Sequence, residues 1–570
     1  MVPDYSGLTE QFEQLITING ILPLFGGISV KKEEITMITI KNPVLTGFHP
    51  DPSMIRVGED YYIAVSTFEW FPGVEIYHSK NLRDWELAVR PLNRLSQLNM
   101  TGEASSKGVW APCLSYHNGK FYLIYSDMKS TGVFYDVNNY LVTAEDIQGP
   151  WSEPIYMNSS GFDPSLFHDD DGRKWFVNMF SDFRTWKVRF SGIVLQEYSE
   201  EEQRLIGEPV RIFAGTPART TEGPHLYKRD GWYYLFCAEG GTGVRHQETV
   251  LRSRNVEGPY EVSPFTPLIT GWSYADNPIQ KAGHASLVEG NNGEWYLAHL
   301  CGRPVEGKYC ILGRETAIQK VVWENDWPRL AGGSSKPQTE VEVNYPDTDD
   351  ETRQKGAGYF GDWRDDFSGS TWDAHFQTLR VPMGDKASMT ARPGWLRMYG
   401  RESLESCYDQ SFLGFRQQHF CVQADTKAEF APVSHQQMAG LTYFYNGSCF
   451  YYLYVTHDEE LGRVLTVMRK LPEGFDMPAG AGIPLPQEGP VWMRMMVRYG
   501  DAQFYYSLDG EKYEKIGPQL DARRMSDEEG PGRFTGAFFG ICCQDISGRR
   551  READFDFVEY RVLTDTDQTE

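Results

Sequence analysis

The sequence has no long apolar run and a shortage of positive charge, and these two absences narrow the classes of protein to which it could belong. No stretch approaches the roughly 18 consecutive apolar residues of a membrane-spanning helix. Lysine and arginine number 55 against 79 for aspartate and glutamate, which gives a formal net charge of −24. That charge repels phosphate backbones and anionic lipids. We therefore expect neither nucleic acid nor a membrane as a partner, and a neutral ligand fits better.

The cysteines also lack a pattern. The nine cysteines are an odd number without metal-ligand spacing, and Cys542 and Cys543 are adjacent, so neither a disulfide framework nor a zinc site is indicated. The apolar stretch 15–30 follows an acidic segment that contains Asp4, Glu10 and Glu13, whereas a signal peptide begins with positive charge. We therefore expect a cytoplasmic protein.

One sequence motif is repeated five times in the first half of the sequence. Each copy continues from a Pro or Ala as an alternating strand, turns on a glycine and ends in an aromatic strand. The copies place Pro52, Pro112, Pro164, Pro224 and Ala285 in the same position, at spacings of 60, 52, 60 and 61 residues. The turns fall at Gly58, Gly119, Gly172, Gly231 and Gly293. One hairpin per period of this length predicts a five-bladed β-propeller rather than a sandwich.

The whole chain is predicted to be all-β and to contain two domains. A chain of 570 residues exceeds one ordinary core, and 14% aromatic residues with many Gly and Pro turns favour strands. The propeller is expected over residues 37–330. Alternating strands such as 450–454 and 492–497 predict a β-sandwich of jelly-roll or lectin-like form over 358–563. Gly, Ser, Thr and Asp give 331–357 a linker composition, and 564–570 reads as a polar tail.

Residues 1–36 do not fit the repeat. They end in Lys31-Lys32-Glu33-Glu34 shortly before Met37, and codons for Lys-Glu-Glu can spell a purine-rich ribosome-binding sequence. One hypothesis is that translation begins at Met37 and that the upstream segment is an artefact of gene-start assignment. The alternative is a real, poorly ordered extension.

The chemistry-bearing residues of the repeats should meet at one mouth of the propeller, because the innermost strand of each blade faces the central channel. One place before the repeat Pro or Ala stand Asp51, Ala111, Asp163, Gly223 and His284, and two places before stand Trp110, Phe162 and Glu222. Each residue taken alone is more often a turn or core residue. Together they would put three carboxylates in one cavity, where burial and like charge oppose ionisation. Such a cost usually signals function.

Carboxylates that face aromatic rings suit the cleavage of a glycosidic bond. One acid protonates the leaving oxygen and another acts on the anomeric side. The third raises the pKa of the first through its negative charge, while the rings stack on the apolar faces of a sugar. The pattern therefore favours a glycosidase, and the alternative from a different class is a sugar-binding protein without catalysis.

Seven stretches give the chain a resemblance to a known family. They read NPVLTGFHPDPS (42–53), STFEWFPG (66–73), GVWAP (108–112), SGFDPS (160–165), TEGPH (221–225), AGHAS (282–286) and LGRET (312–316). With these motifs the chain resembles glycoside hydrolase family 43, and most closely its β-xylosidase branch, in which a five-bladed propeller precedes a β-sandwich. The motifs span both halves of the propeller, and the resemblance continues more weakly through the sandwich.

The resemblance implies a role for each matching residue. It implies Asp51 as general base, Glu222 as general acid and Asp163 as the residue that tunes and orients that acid. Arg314 would bind sugar hydroxyls, and Phe68, Trp110 and Phe162 would line the pocket. His284 would lie at the channel, where family members often hold water or a divalent cation, commonly calcium, although no cofactor is required.

The resemblance implies an exo-acting, inverting β-1,4-xylosidase that removes xylose from the non-reducing end of xylo-oligosaccharides. An α-L-arabinofuranosidase is the nearest alternative, because the two pentoses present similar hydroxyls and dual activity is common in the family. A homo-oligomer is compatible with the sequence. Residues 183–188 depart from the expected family pattern at the pocket rim. The stretch 534–540 is a candidate for a sandwich loop that closes the pocket, and sandwich core is the equally weighted alternative.

Overall fold

The computed structural model describes residues 37–345 and 360–564, and its regular structure there consists of β-strands and three short 3-10 helices. Within these two ranges we find no helix with the length and hydrophobicity of a membrane span. The predicted extension 1–36 and most of the predicted tail lie outside the described residues.

The first two blades follow β1 (Met37–Lys41). Blade 1 contains β2 (Ser53–Val57), β3 (Asp60–Val65), β5 (Glu75–Ser79) and β6 (Glu86–Val89), while the short β4 (Trp70–Phe71) lies outside it. Blade 2 contains β7 (Gly108–His117), β8 (Lys120–Ser130), β9 (Asp136–Ala144) and β10 (Ile155–Asn158).

The next three blades repeat this order. Blade 3 contains β11 (Ser165–His168), β12 (Lys174–Ser181), β13 (Phe190–Ser199) and β14 (Arg204–Phe213). Blade 4 contains β15 (Glu222–Arg229), β16 (Trp232–Glu239), β17 (Gln247–Ser253) and β18 (Glu261–Val262), with β19 (Ile269–Thr270) also paired to β17. Blade 5 contains β20 (Gln280–Glu289), β21 (Trp295–Gly302), β22 (Glu315–Glu324) and β23 (Trp327–Leu330).

The innermost hairpin of every blade turns on the glycine that the repeat predicts. Gly58, Gly119, Gly172, Gly231 and Gly293 all have φ between 64° and 89°, a conformation that residues with a Cβ rarely adopt. Each glycine reverses the chain between the inner strand and its neighbour, so the inner strands all begin at the same face of the molecule. The predicted five-bladed propeller is confirmed.

The ring closes where the chain enters blade 1. The backbone N–H groups of Val44 and Leu45 donate to Thr316 O in β22, which joins the first residues of the domain to blade 5. Upstream, β1 pairs with β24 (Glu340–Asn344) in a separate two-stranded sheet. Of the linker predicted over 331–357, residues 346–357 lie outside the described residues, whereas 340–344 form the strand β24, whose alternate side chains are buried against the propeller.

The C-terminal domain is a two-sheet sandwich, as predicted. One sheet holds β25 (Trp363–Asp365), β27 (Ala387–Ser388), β28 (Leu396–Tyr399), β30 (Cys421–Phe430), β36 (Val491–Arg498), β37 (Asp501–Ser507), β38 (Glu514–Asp521) and β40 (Glu552–Val562). The other holds β29 (Phe412–Arg416), β31 (Gln437–Asn446), β32 (Cys449–Asp458), β33 (Gly462–Leu471), β34 (Gly474–Asp476), β35 (Ile483–Pro484) and β39 (Phe538–Asp545). The 3-10 helices are Gly384–Lys386, Ala522–Met525 and Asp527–Glu529.

An extensive interface fixes the sandwich on the propeller. β26 (Thr378–Leu379) pairs with β4, and the Trp70 ring stacks on Phe538 with centroids 3.9 Å apart. Nearby, the buried Glu75 carboxylate of blade 1 pairs with Arg416 of the sandwich, Nη2 to Oε2, at 2.8 Å. Because an unpaired charge at such a depth would be costly, this pair specifies how the two domains meet.

Candidate active site

The hub side chains project from irregular backbone at the start of the inner strands. Four residues that share one position in the repeat have positive φ angles: Asp51 (57°), Asp163 (54°), Gly223 (58°) and His284 (52°). The ladder register is also irregular at this point in blades 4 and 5. Residues other than glycine hold such a conformation only where the surrounding structure fixes it, and these residues concentrate at functional sites.

Blade 4 carries its acid one place earlier in the repeat, and the neighbouring blade explains why. A Cβ at Gly223 would lie 2.9 Å from His284 Nε2, so glycine is required for the imidazole to reach this position. The Gly223 N–H in turn donates to Asp163 Oδ2 at 3.0 Å. Glu222, directly before Gly223, is the carboxylate that blade 4 contributes to the hub.

The structure brings all eight residues that the sequence singled out into one cavity of about 160 Å³. They are Asp51, Asp163, Glu222, Arg314, Phe68, Trp110, Phe162 and His284. The three carboxylic residues are only 5–7% exposed, so they lie in a desolvated environment. The volume is below the range of about 300–1,000 Å³ typical of pockets for drug-sized ligands, and therefore suits one small sugar unit.

Several lining residues did not emerge from the repeat analysis. Tyr135, Phe190, Thr220 and Thr242 complete the wall of the cavity. Thr220 lies just before the inner strand of blade 4, whereas Tyr135, Phe190 and Thr242 lie at the connections between the second and third strands of blades 2, 3 and 4, at the same mouth of the propeller. The signal that could have found them is the topology itself, since these loops open on the same face as the start of the inner strands.

The Asp51 carboxylate is held by donors on both oxygens. Arg314 Nη1 donates to Oδ1 at 2.9 Å and the Ser66 hydroxyl donates to Oδ2 at 2.6 Å, while His284 Nδ1 lies 3.6 Å from Oδ1. Burial by itself raises the pKa of Asp51, but Arg314, His284 and Ser66 outweigh burial and lower it. Asp51 is therefore the carboxylate that stays ionised.

The other two acids are shifted in the opposite direction. Burial raises the pKa of Glu222 well above its usual range, and the charges of Asp163 and Asp51 raise it further. Burial and the charge of Asp51 also raise the pKa of Asp163, but the Gly223 N–H opposes this by stabilising the Asp163 carboxylate. A proton shared by this pair is therefore held preferentially by Glu222.

Arg314 lines the cavity between two aromatic rings. Its guanidinium lies 5.3 Å from the ring centroid of Phe68 and 5.5 Å from that of Phe534, and its Nη1 donates to Asp51. A guanidinium has five N–H donors, so Arg314 can hold Asp51 and still donate to a polar group of a molecule in the cavity.

A loop of the sandwich domain completes the cavity wall. Phe534 lines the cavity and contacts the rings of Phe68 and Trp110, each at a centroid distance of 6.0 Å. Phe538 and Phe539, later in the same stretch, are fully buried in the domain interface and the sandwich core. Phe534 therefore closes the cavity, as one interpretation of 534–540 predicts. Phe538 and Phe539 are core residues, as the other interpretation predicts.

The backbone of this loop packs directly on the segment that carries Arg314, just before β22. A Cβ at Gly536 would lie 2.4 Å from Gly313 N and 2.7 Å from Gly313 Cα. Glu528 at the start of the loop accepts a hydrogen bond from Cys310 N at 2.8 Å and pairs with Lys281. The position of Phe534 is therefore fixed by blade 5.

The residues around His284 do not form a site for a directly ligated metal. No group of three or more His, Cys, Asp or Glu side chains in 37–345 and 360–564 has the arrangement of a metal site. Calcium takes six to eight oxygen ligands, whereas burial lowers the pKa of His284 and leaves a neutral imidazole beside Asp51. A calcium ion at His284 stays a prediction.

Comparison with known proteins shows the family to which this chain belongs. Residues 40–328 match the model described as glycosyl hydrolases family 43, and residues 364–561 match the beta xylosidase C-terminal concanavalin A-like domain. The chain belongs to glycosyl hydrolase family 43. The predicted family is confirmed, and the sandwich is of the concanavalin A-like type.

Relatives from this family cover almost the whole chain. A beta-xylosidase of Bacillus subtilis is 48% identical over 92% of this chain and 99% of its own length. Xylosidase/arabinosidase 43B of Humicola insolens is 48% identical over 92% and 98%. The crystal structure of a xylan beta-1,4-xylosidase from Bacillus halodurans has a TM-score of 0.88 and 50% identity, and covers 92% of this chain and 100% of that one. The family 43 chain is thus a glycosidase with a carbohydrate substrate.

The contact between Gly313 and Gly536 generates the first prediction. Gly536→Ala should displace the sandwich loop and Phe534, because the new Cβ meets backbone rather than a movable side chain. We expect kcat/KM for an aryl glycoside to fall roughly ten- to a hundredfold, as for other small displacements of a site.

Gly532→Ala is the matched control, since Gly532 has φ +72° in the same loop but nothing within 4 Å of its added Cβ. An equal loss in the two variants would show that backbone strain, and not the contact with Gly313, explains the effect.

Proposed function

We propose that this family 43 enzyme is an exo-acting, inverting β-1,4-xylosidase that releases xylose from the non-reducing ends of xylo-oligosaccharides. The observation that carries the proposal is the opposite shift of two pKa values in one sugar-sized cavity. That of Asp51 is lowered and that of Glu222 is raised. Two carboxyl groups whose pKa values are shifted in opposite directions supply the base and the acid that glycoside hydrolysis requires.

Glu222 acts as the general acid. Its raised pKa keeps the carboxyl protonated near neutral pH, so it can give a proton to the glycosidic oxygen as the bond to the anomeric carbon breaks. Asp163 maintains this state through its negative charge, and its hydrogen bond from Gly223 N–H couples it to the backbone beside the acid. Asp163 is thus a positioning and tuning residue.

Asp51 acts as the general base. It takes a proton from a water molecule, whose oxygen attacks the anomeric carbon from the face opposite the leaving group. Arg314 and Ser66 fix the carboxylate orientation, and Arg314, which also lines the cavity, can donate a further hydrogen bond to a sugar hydroxyl. Positive charge develops on the sugar ring in the transition state, and the ionised Asp51 stabilises it.

The shape of the cavity supports exo action. The small volume, walled by Phe68, Trp110, Phe162 and Phe534, accommodates one terminal sugar rather than the middle of a chain. Aromatic walls stack on the apolar faces of a pyranose ring. The site therefore suits a neutral sugar that carries no phosphate or carboxylate group.

The names of close relatives support xylose as the sugar that is released, while the Humicola relative keeps the α-L-arabinofuranosidase alternative open. Hydrolysis of 4-nitrophenyl β-xyloside, 4-nitrophenyl α-L-arabinofuranoside and xylobiose by the purified enzyme tests the choice. We expect the highest kcat/KM on the β-xylosides. Preference for the arabinofuranoside would favour the alternative, and turnover of none would indicate a sugar-binding protein.

None of the nine cysteines, all of which lie in the described ranges, forms a disulfide bond, which is the state that a reducing compartment maintains. The cytoplasm therefore stays the location that we propose. A self-association of the chain is also compatible with the proposal.

Removal of either main carboxylate should abolish most of the activity without unfolding the protein. Asp51→Ala and Glu222→Ala should each lose two or more orders of magnitude in kcat on xylobiose, in line with the roughly 10²–10⁴ of acid–base catalysis. Glu222→Ala should affect 4-nitrophenyl β-xyloside less, because nitrophenolate leaves without much protonation.

Asp170→Asn, at the opposite mouth of the channel, is the control and should retain normal activity. Near-normal xylobiose turnover by Glu222→Ala would contradict the assignment of the acid.

Asp163→Asn should move the alkaline limb of the pH profile. The variant removes a negative charge that raises the pKa of Glu222, although burial and Asp51 still raise it. Glu222 then loses its proton at lower pH, so activity should fall at lower pH than in the wild type. The kcat/KM profile of both proteins measures this shift, and an unmoved alkaline limb would count against the tuning role.

The stereochemistry should be inverting. Asp51 lies just before β2 of the first blade and Glu222 begins β15 of the fourth, so the two carboxyls enter the cavity from blades that are not neighbours, which favours the longer separation. Inverting enzymes separate their carboxyls by roughly 6.5–9.5 Å, against about 5–5.5 Å in retaining ones. Proton NMR during early hydrolysis of a β-xyloside should show α-xylose first. Initial β-xylose, or a glycosyl ester on Asp51, would show retention.

A further inference from the structure

We propose that three exposed rings at the mouth of the cavity, Phe134, Phe183 and Trp186, form a platform that binds the leaving-group side of a xylo-oligosaccharide. This rim platform lies on the loops 131–135 and 182–189, of which the second includes the segment that departs from the family pattern. The inference deepens the proposed function and rests on it, because it concerns the sugars that remain outside the cavity.

The platform continues the cavity wall. Tyr135 and Phe190 line the cavity, and each lies at the end of one of the two loops, so Phe134 directly precedes a lining residue. The cavity of about 160 Å³ holds one sugar, and the remaining sugars of the substrate must pass the loops at its mouth. A chain that leaves the cavity on this side therefore meets the rim platform.

The three rings are largely exposed. Phe134, Phe183 and Trp186 are 54%, 59% and 75% exposed, and the rings of Phe134 and Phe183 pack edge to face at 5.0 Å. Val133 and Val188 in the same loops are 71% and 63% exposed, so each loop presents further apolar surface. Exposed apolar patches of this kind mark interaction sites, and a neutral sugar is compatible with the strongly negative chain.

Hydrogen bonds give both loops a defined shape. Arg184 Nε donates to Asp182 Oδ1 at 2.9 Å, and Asp182 N donates to Arg189 O at 2.8 Å, which closes the second loop at its base. Arg189 Nη2 donates to Gly132 O at 2.6 Å and its guanidinium lies 3.9 Å from the Tyr135 ring centroid. Because the loops are joined and ordered, the rings can bind a sugar without a large entropic cost.

A second copy of this chain is the alternative occupant of the rim platform. Continuity with the cavity favours the sugar, since a protein partner placed over these loops would lie at the mouth through which substrate enters. The two occupants also differ in a measurable way, because a protein contact changes the oligomeric state and a sugar subsite changes the preference for substrate length.

The test compares xylobiose with xylotetraose for the wild type and for Phe183→Ala and Trp186→Ala. We expect the ratio of kcat/KM for xylotetraose to that for xylobiose to fall roughly three- to tenfold in each variant, through KM, as is typical for loss of one aromatic contact. Phe475→Ala is the matched control, because Phe475 is 67% exposed on the sandwich domain, and its ratio should equal that of the wild type.

A binding measurement gives a readout that does not depend on turnover. In the Glu222→Ala background, calorimetric titration with xylotetraose should show a three- to tenfold higher Kd when Trp186→Ala is added, with an unchanged Kd for xylose. An unchanged length ratio together with an unchanged Kd would overturn the inference while leaving the proposed function intact. A lower mass of Trp186→Ala in light scattering, with sugar binding unchanged, would overturn it in favour of contact between copies. Failure of the wild type to cleave xylo-oligosaccharides would refute the proposed function, and with it the inference.

Discussion

The buried ion pair between Asp51 and Arg314 is the interaction on which the site depends. Three carboxyl groups in one desolvated cavity cannot all ionise, and a single guanidinium decides which of them carries the charge. The pair also joins the first and fifth blades. His49 N donates to Arg314 O at 2.9 Å and the Thr316 hydroxyl donates to His49 O at 2.6 Å, so ring closure and the assignment of charge share the same few residues.

The backbone of the inner strands supplies the second constraint. Asp51, Asp163 and His284 hold left-handed conformations that the rest of each blade must stabilise, and buried acids outside the hub contribute to this. Glu248 Oε2 accepts the Ala285 N–H at 3.0 Å, directly after His284. Glu239 accepts from the hydroxyl groups of Thr221 and Thr249, which secures the approach to Glu222. These hydrogen bonds stabilise the hub backbone of blades 4 and 5.

The sequence was sufficient to predict those parts of the molecule that repeat. The five turn glycines, the inner strands and the hub residues follow from one period, because each blade solves the same packing problem. Tyr135 and Phe190 could not be predicted in this way, since they lie in or directly after loops that differ between blades. The strand β24 was concealed by a linker-like composition, and its alternating burial depends on a partner, β1, that is distant in sequence. Phe534 was recognisable as a candidate, but only the contact of Gly536 with Gly313 separates it from the core rings that follow.

That contact has a consequence for the evolution and recombination of these enzymes. Two glycines more than 200 residues apart must be inherited together, because a side chain at either one meets the backbone of the other. A chimera that joined this propeller to a foreign sandwich would satisfy the motifs of both parents and still lack a wall of its substrate cavity. The unit that selection acts on is therefore the pair of domains, and the boundary between them is a poor place for genetic exchange.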